Sequence, residues 1–230
     1  MRTLGLIGGM SWESTVPYYR LINDGVKARL GGLHSARLVL YSVDFAEVEQ
    51  LQREGDWRSA AQLLAQAARA LHAAGAQGLV LCTNTMHKVA DEIEAATPLP
   101  FLHIVDAAAQ SLTSQGLLRV GLLGTRFTME QDFYKARLAE RYGVQVIVPP
   151  AQERDEVHRI IYEELCLGQL HATSREVYRR TMAHLVAQGA QAIVLGCTEI
   201  GLLVCAQDCA VPLLDTTALH AQTAVDWMLE

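Results

Sequence analysis

The sequence has few of the features that tie a protein to nucleic acid or to a membrane. Only three of its 19 basic residues are lysines, the formal net charge is −6, and no basic stripe occurs, so no nucleic-acid partner is expected. No apolar run approaches the roughly 18–20 residues that span a bilayer, and the first apolar segment is too short for a signal-peptide core. We therefore expect a cytoplasmic protein with no membrane partner.

Metal and cofactor motifs are also missing. The five cysteines include no CxxC pair and no Cys/His spacing typical of zinc. Gly5–Gly9 does not fit a dinucleotide-binding fingerprint, no P-loop or G-x-S-x-G motif occurs, and the three lysines lie in helix-like segments, which gives poor support for pyridoxal phosphate. We expect no metal and no cofactor. Cys82 and Cys166 lie in apolar patterns and are interpreted as small buried hydrophobes.

Short apolar runs alternate with longer helical patterns, and their unbroken Val, Ile and Leu content is typical of parallel strands buried on both faces. Thr128 with Gln131 fits a helix-capping box, and Asp215 or Thr216 fits another N-cap. Strands are predicted at 3–9, 36–43, 78–82, 101–105, 119–125, 144–148, 192–196 and 212–215. Helices are predicted at 14–30, 57–74, 86–96, 106–115, 128–141, 153–167, 173–188 and 216–229.

The chain repeats itself at long range. "LGLIGGM" (4–10) returns as "VGLLGTR" (120–126), and "GAQGLVL" (75–81) returns as "GAQAIVL" (189–195). This predicts an α/β fold of two similar three-layer lobes with mostly parallel sheets, related by a pseudo-two-fold axis, with the active site in the cleft between them. The first lobe is expected to comprise 1–97 plus 210–230, and the second 98–209.

Small polar motifs follow four of the predicted strands. In open α/β sheets, ligands collect at the carboxyl ends of the strands. One glycine-containing turn would indicate only a tight connection, whereas four turns paired by a repeat favour a binding site. The motifs are Gly8-Gly9-Met10-Ser11, Thr83-Asn84-Thr85, Gly124-Thr125 and Cys197-Thr198-Glu199.

Two quasi-equivalent groups facing one another suit a racemase, which removes a proton from one face of a carbon and returns one to the other. A cysteine thiol, with an ordinary pKa of about 8.5, can serve as such a group. A strand-end turn also supplies backbone N–H groups that favour the thiolate and bind a substrate carboxylate.

"LGLIGGMSWEST", "LCTNTMH" and "LGCTEIGLL" resemble the cofactor-independent aspartate/glutamate racemase family over nearly the whole chain, and "SVDF" points to its amino-acid racemase branch. The resemblance implies an amino-acid substrate, α-proton abstraction by Cys197, and Thr83 where the family has its first cysteine. It also suggests a homodimer.

The internal repeat and the family motif both place Thr83, and not Cys82, opposite Cys197. Successive side chains on a strand point to opposite faces, so Cys82 is predicted to lie in the core. Threonine is a poor base, so racemisation should be lopsided. In glutamate racemases the second-motif cysteine takes the proton from the L substrate, which by analogy predicts a preference for L-amino acids here.

The resemblance leaves the substrate open. The Arg and Lys that hold the side-chain carboxylate in aspartate-specific members are absent, so aspartate or glutamate is one candidate class among others. Short polar residues at strand ends and helix starts are expected to bind the α-carboxylate, and Met10 and Gln52 resemble pocket residues of this branch. The predicted substrate-binding residues are Met10, Gln52, Asn84, Thr85, Thr125, Thr128, Thr198 and Glu199.

Two alternatives stay open. A one-cysteine decarboxylase of the same superfamily would also need only Cys197, although "SVDF" and Thr83-Asn84-Thr85 argue against it. The second alternative is an amino-acid-binding protein that has lost turnover. The threonine at position 83, where the family has a cysteine, supports this hypothesis.

Overall fold

A computed structural model describes all 230 residues and divides them into two compact units. Unit 1 comprises Met1–His103 and His220–Glu230, and unit 2 comprises Ile104–Leu219. Each unit contains a four-stranded sheet whose strands are all parallel. The predicted α/β class with two similar halves is confirmed.

Unit 1 has the strand order β2-β1-β3-β4. Its central strands are in register from Leu4 with Gly78 to Ile7 with Leu81. Its elements are β1 (Leu4–Gly8), α1 (Trp12–Leu30), β2 (Leu38–Ser42), α2 (Phe45–Glu54), α3 (Trp57–Ala73), β3 (Gly78–Leu81), a 3₁₀ turn (Thr85–Val89), α4 (Ala90–Ala95) and β4 (Phe101–Leu102).

Unit 2 has the order β6-β5-β7-β8, the same as in unit 1 when each strand is matched to its repeat. Its elements include 3₁₀ turns at Leu165–Leu167 and Ala206–Asp208. The others are α5 (Ile104–Ser114), β5 (Arg119–Gly124), α6 (Arg126–Glu130), α7 (Asp132–Tyr142), β6 (Gln145–Ile147), α8 (Ala151–Glu163), α9 (Ala172–Ala187), β7 (Ala192–Gly196), α10 (Ile200–Leu203), β8 (Leu213–Asp215) and α11 (Thr216–Leu229), which continues into unit 1.

The central strands of each sheet are buried on both faces, which explains their continuous apolar runs. Along β3, Leu79 and Leu81 belong to one apolar cluster, whereas Val80 belongs to another on the opposite face. Along β7, Ile193 and Val194 are divided between two clusters in the same way. Successive side chains of a strand point to opposite faces, so each unit has three layers with a core on either side of its sheet.

All eight predicted strands are present, but the helix prediction needs corrections. Helix α2 and the single turn α10 were not predicted, and several long predicted helices are divided into shorter pieces. The cap of α6 is Thr125, whose Oγ1 accepts a hydrogen bond from the Thr128 backbone N–H at 3.3 Å, so the predicted capping box at Thr128 is wrong. Asp215 is the N-cap of α11, because its carboxylate accepts hydrogen bonds from the N–H groups of Thr217 and Ala218.

The unit boundaries differ from the expected ones at 97/98 and 209/210. Strand pairing explains both differences. Strand β4 pairs with β3 and therefore extends unit 1 to His103. Strand β8 pairs with β7, so the segment at 210–219 belongs to unit 2 and not to the first lobe. No helix is both long enough and apolar enough to cross a membrane.

The loop that leaves β1 depends on glycine. Gly9 has a φ of 93°, and a Cβ atom there would lie 2.3 Å from the Val43 carbonyl oxygen. The Gly9 N–H donates to Thr15 Oγ1 at 2.9 Å, and the Thr15 hydroxyl donates to the Ser11 carbonyl at 2.8 Å. The loop is therefore fixed by close backbone approach and by α1, and it sets the position of Met10.

We expect Gly9→Ala to lower the free energy of unfolding by about 1–3 kcal/mol more than Gly75→Ala, because overpacking at Val43 adds to the cost of a positive φ. Gly75 is a matched control, since its φ is 89° and no atom lies within 4 Å of a Cβ placed there. Urea denaturation of both variants measures the difference. Equal losses would show that the Val43 contact relaxes without cost.

Candidate active site

Cys197 follows directly on β7, at the carboxyl edge of the unit 2 sheet. The neighbouring strand β5 ends at Gly124, which is in register with Gly196. A Cβ atom on Gly124 would lie 2.7 Å from the Gly196 carbonyl oxygen, so only glycine lets the two strand ends come this close. The two motifs that follow, at Thr125 and at Cys197, are consequently held at the same edge.

Cys197, Thr198 and Glu199 form one buried hydrogen-bonded group. The Cys197 thiol donates to Glu199 Oε2 at 2.9 Å, and the Thr198 hydroxyl donates to the same oxygen at 2.8 Å. The side chains are nearly inaccessible, with Glu199 only 2% exposed and Cys197 8% exposed. A carboxylate at this distance is placed to accept the thiol proton.

The surroundings of Cys197 favour the protonated thiol over the thiolate. Burial raises the pKa of Cys197 well above its ordinary value, and the negative charges of Glu199 and Cys166 raise it further. The backbone N–H of Glu199 lowers the pKa of Cys197 but is the weakest of these influences. The strand-end turn therefore favours the thiolate as expected, but burial and the neighbouring charges outweigh its effect on the pKa of Cys197.

Two neighbours of this group were missed in the sequence. Cys166, predicted to be buried, is half-buried against the core, and its thiol also approaches Glu199 Oε1 at 3.8 Å. Tyr178 is fully buried on α9, and burial together with the charges of Cys197 and Glu199 raises its pKa well above the ordinary value. Neither residue lies in a strand-end motif, so their proximity depends on how α9 and the 3₁₀ turn after α8 pack on the sheet.

Thr125 and Thr128 lie beside the Cys197 turn. Their hydroxyl oxygens are 3.2 Å apart, and both residues are buried. A Cβ atom on Gly196 would lie 3.3 Å from the Thr128 side chain, which places Thr128 against the end of β7. The structure thus brings together all five site residues predicted in this unit, namely Thr125, Thr128, Cys197, Thr198 and Glu199.

Thr83 occupies the corresponding position in unit 1. Its backbone N–H donates to the Leu81 carbonyl at 2.9 Å, so the chain turns immediately after β3. Cys82 is fully buried in an apolar cluster with Leu6 and Tyr18, and burial alone raises the pKa of its thiol strongly. The prediction that Cys82 is a core residue is confirmed.

The turn that follows Thr83 is held by His87. Its Nδ1 lies 2.7 Å from the Thr83 carbonyl oxygen, and because a carbonyl only accepts, this nitrogen carries the proton. The ring is buried and packs against His103 at 4.5 Å between centroids. Asn84 and Thr85, within and beside the same turn, are also buried. His87, the last residue of "LCTNTMH", was not among the predicted site residues, and its contact with the Thr83 carbonyl gives it a role in holding the turn.

Met10 and Gln52 reach the same part of unit 1. Gln52 lies on α2 and is 4% exposed, and its Nε2 donates to the Met86 sulfur at 2.9 Å. Met10 belongs to the same apolar cluster as Met86. Gln52 therefore contacts the 3₁₀ turn that follows Thr83. No group of three or more His, Cys, Asp or Glu side chains is arranged to hold a metal ion.

Unit 2 thus holds a buried thiol that is hydrogen-bonded to a carboxylate at the end of a parallel strand, within an internally repeated α/β fold. The family model for Asp/Glu/hydantoin racemases matches residues 7–224. A Yersinia pestis protein provisionally named an Asp/Glu racemase is 63% identical, with complete coverage of both chains and a TM-score of 0.93.

More distant relatives agree. An aspartate racemase homologue from Pyrococcus horikoshii is 33% identical, with complete coverage of both chains and a TM-score of 0.85. The broad-specificity amino-acid racemase RacX of Bacillus subtilis is 22% identical over 231 residues, with 98% of each chain covered. The chain belongs to the Asp/Glu/hydantoin racemase family, and the predicted enzyme class, an isomerase of the amino-acid racemases, is confirmed.

The raised pKa of Cys197 can be tested by alkylation. Glu199→Gln removes a negative charge that raises the pKa of this thiol, so the pKa falls and the thiolate fraction at a given pH increases. We expect iodoacetamide to modify Cys197 severalfold faster in this variant near neutral pH, as followed by mass spectrometry of the Cys197 peptide. Glu163→Gln, which neutralises an exposed carboxylate, is the matched control. A slower or unchanged rate for Glu199→Gln would show that its charge does not govern the thiol.

Proposed function

We propose that this chain racemises amino acids without a cofactor and favours L substrates, with Cys197 removing the α-proton and Thr83 on the opposite face of the α-carbon. Aspartate- or glutamate-type substrates, or a broader set, fit the names of its relatives: the Yersinia pestis protein is named for Asp/Glu, and RacX for broad specificity. The observation that carries the proposal is the 2.9 Å hydrogen bond from the Cys197 thiol to Glu199.

In this proposal, the Glu199 carboxylate is the base that converts the Cys197 thiol into the reactive thiolate. Glu199 accepts the proton from Cys197 Sγ, which leaves a thiolate and a neutral carboxylic acid. The thiolate electron pair then forms a bond to the α-hydrogen of the L substrate, and the electrons of the broken C–H bond remain on carbon as a carbanion. The thiol is restored in that step, and Glu199 still holds the first proton, which returns to solvent.

The second proton reaches the carbanion from the Thr83 face. A threonine hydroxyl is not ionised near neutral pH, so it can donate or position a water molecule but cannot act as a strong base. A proton delivered by the hydroxyl, or by a water that it holds, produces the D enantiomer, and solvent replaces that proton. His87 fixes the Thr83 turn through the carbonyl oxygen and so supports this geometry.

Substrate binding is assigned to the polar groups of both strand-end clusters. Thr125 and Thr128 present hydroxyls beside the Cys197 turn, and Asn84 and Thr85 present an amide and a hydroxyl beside Thr83. Such neutral donors suit an α-carboxylate. Met10 and Met86 belong to one apolar cluster, and Gln52 adds an amide beside Met86. These groups suit an uncharged substrate side chain better than a carboxylate. This arrangement supports the broader substrate range.

Chiral chromatography after incubation with L-aspartate, L-glutamate and a panel of other L-amino acids tests the proposal directly. We expect D product from at least one substrate and its loss in Cys197→Ala, with activity falling by well over tenfold, or more than about 1.4 kcal/mol of barrier. Cys82→Ser is the control, since it changes another buried thiol without altering Cys197 or Thr83.

Each alternative has its own outcome in this assay. Binding without turnover of any member would favour a binding protein, and release of carbon dioxide from a malonate-type acid would favour the decarboxylase. Retention of activity within tenfold in Cys197→Ala would overturn the mechanism. Loss of activity in a normally folded Cys82→Ser variant would show that Cys82, and not Thr83, faces the substrate.

The two faces should differ in hydrogen exchange. In heavy water, we expect L substrate to exchange its α-hydrogen much faster than D substrate, because a thiolate serves one face and a hydroxyl the other. Thr83→Cys supplies a second thiol with little change in volume, so the D-to-L rate should rise selectively. The final L/D ratio stays unchanged, since a catalyst does not alter the equilibrium of free substrate.

Proton nuclear magnetic resonance of the α-hydrogen measures both rates, and Thr83→Ser is the matched control because it keeps a hydroxyl without adding a thiol. Equal exchange from both enantiomers in the wild type, together with no D-selective gain in Thr83→Cys, would show that Thr83 does not face the α-carbon opposite Cys197.

A further inference from the structure

A surface groove of about 370 Å³ lies between α3 and α4 of unit 1, and the proposed chemistry does not use it. Its floor is formed by the small side chains of Ala61 and Ala65, which are both buried. These alanines are four residues apart and therefore share one face of α3. The volume is at the small end of the range of ligand pockets, which suits a ligand of amino-acid size. The other lining residues are Trp57, Arg58, Gln62 and Glu92.

The groove carries one charge of each sign, on opposite walls. Arg58 on α3 and Glu92 on α4 are both exposed, and neither forms a salt bridge. A guanidinium on one wall and a carboxylate on the other match the carboxylate and the ammonium group of a zwitterion. Gln62, on the same wall as Arg58, adds an amide that can donate or accept a hydrogen bond.

The carboxylate nearest to Arg58 in the sequence is engaged elsewhere. Asp56 caps α3, because the Ser59 hydroxyl donates to its Oδ2 at 2.6 Å and the Ser59 N–H donates to its Oδ1 at 3.0 Å. These hydrogen bonds are the main reason why the pKa of Asp56 is lowered, and the positive charge of Arg58 contributes less. The Arg58 guanidinium is therefore left to interact with a ligand.

The basic residue nearest to Glu92 in the sequence is engaged as well. Lys88 precedes Glu92 by four residues, a spacing at which opposite charges can pair on a helix. Its Nζ instead lies 4.2 Å from the centre of the Trp57 ring, in a cation–π contact. Lys88 belongs to the 3₁₀ turn Thr85–Val89, so Trp57 connects the groove with the turn that follows Thr83.

We infer that the α3/α4 groove is a second binding site, separate from the candidate active site, for a small zwitterion of the α-amino-acid class. Arg58 binds the ligand carboxylate, Glu92 binds its ammonium group, and the alanine floor with Trp57 contacts an apolar side chain. A ligand with only one of the two charges leaves the opposite protein group unpaired and therefore binds more weakly. The inference stands apart from the proposed chemistry, because binding at Trp57 is measured without turnover.

Fluorine nuclear magnetic resonance of protein labelled with 5-fluorotryptophan tests the inference. The chain has three tryptophans, and Trp57→Phe identifies the resonance that belongs to the groove. The probe is 1-aminocyclopentane-1-carboxylic acid, a zwitterion with an apolar ring and no α-hydrogen, so it cannot be racemised. We expect a saturable shift of the Trp57 resonance. Arg58→Gln and Glu92→Gln should each weaken binding by about tenfold or more, whereas Arg69→Gln, exposed on α3 outside the groove, should not change it.

Two further comparisons make the test specific. Cyclopentanecarboxylate and cyclopentylamine carry one charge each, and each should bind about tenfold more weakly than the zwitterion or weaker still. Cys197→Ala should keep the shift, because Cys197 does not line the groove. Circular dichroism establishes that each variant is folded before its binding is interpreted.

Three results would overturn the inference. The first is a Trp57 resonance that does not move at a probe concentration on the order of 50 mM. The second is a shift that Arg58→Gln and Glu92→Gln leave unchanged, which would show that the two charges play no part. The third is equal binding of cyclopentanecarboxylate, which would reduce the site to an anion contact. None of these results bears on the roles of Cys197 and Thr83.

Discussion

Parallel pairing of two central strands in each unit is the constraint on which the rest of the structure depends. Strand β1 pairs with β3 and β5 with β7, and in each case the strands end side by side. Short glycine-containing turns then leave each sheet at one edge. Polar side chains that are far apart in the sequence therefore lie close together at that edge. The apolar layers on both faces of each sheet hold this edge in place.

The group around Cys197 shows how burial and chemistry are linked. Leaving a carboxylate almost fully out of water is costly unless hydrogen bonds compensate, and Glu199 accepts hydrogen bonds from Cys197 and Thr198. The same contact suppresses ionisation of the thiol. A proton is thereby shared within one small group, so a change in the charge of its surroundings, such as the arrival of a substrate ammonium group, can alter which atom holds it.

The strands, their parallel order and the strand-end motifs could be predicted because each is written in local sequence. Continuous apolar runs mark strands buried on both faces, and the repeat of "GAQGLVL" as "GAQAIVL" marks equivalent positions. Residue-level features that depend on packing could not be predicted. Cys166 looks like any core thiol until the 3₁₀ turn after α8 brings it near Glu199. The turn N–H group lowers the pKa of Cys197 as expected, but burial and the Glu199 charge, which depend on packing, raise it more. The cap of α6 was misplaced by three residues because Thr125 and Thr128 both fit the cap in sequence.

The path of α11 has a consequence for the order in which the chain folds. This helix starts in unit 2, yet Ala221, Ala224, Val225 and Met228 complete an apolar cluster with Leu4 and Leu6 of β1. The segment 220–230 leaves the ribosome after every residue of unit 2. Unit 2, which is continuous in sequence, can therefore fold while one apolar cluster of unit 1 still lacks the residues of α11. Unit 1 thus depends on contacts between the two ends of the chain, which close slowly. During synthesis, the apolar side chains of β1 and α1 that pack on α11 therefore stay uncovered until the last residues emerge, and such exposed apolar surface favours aggregation.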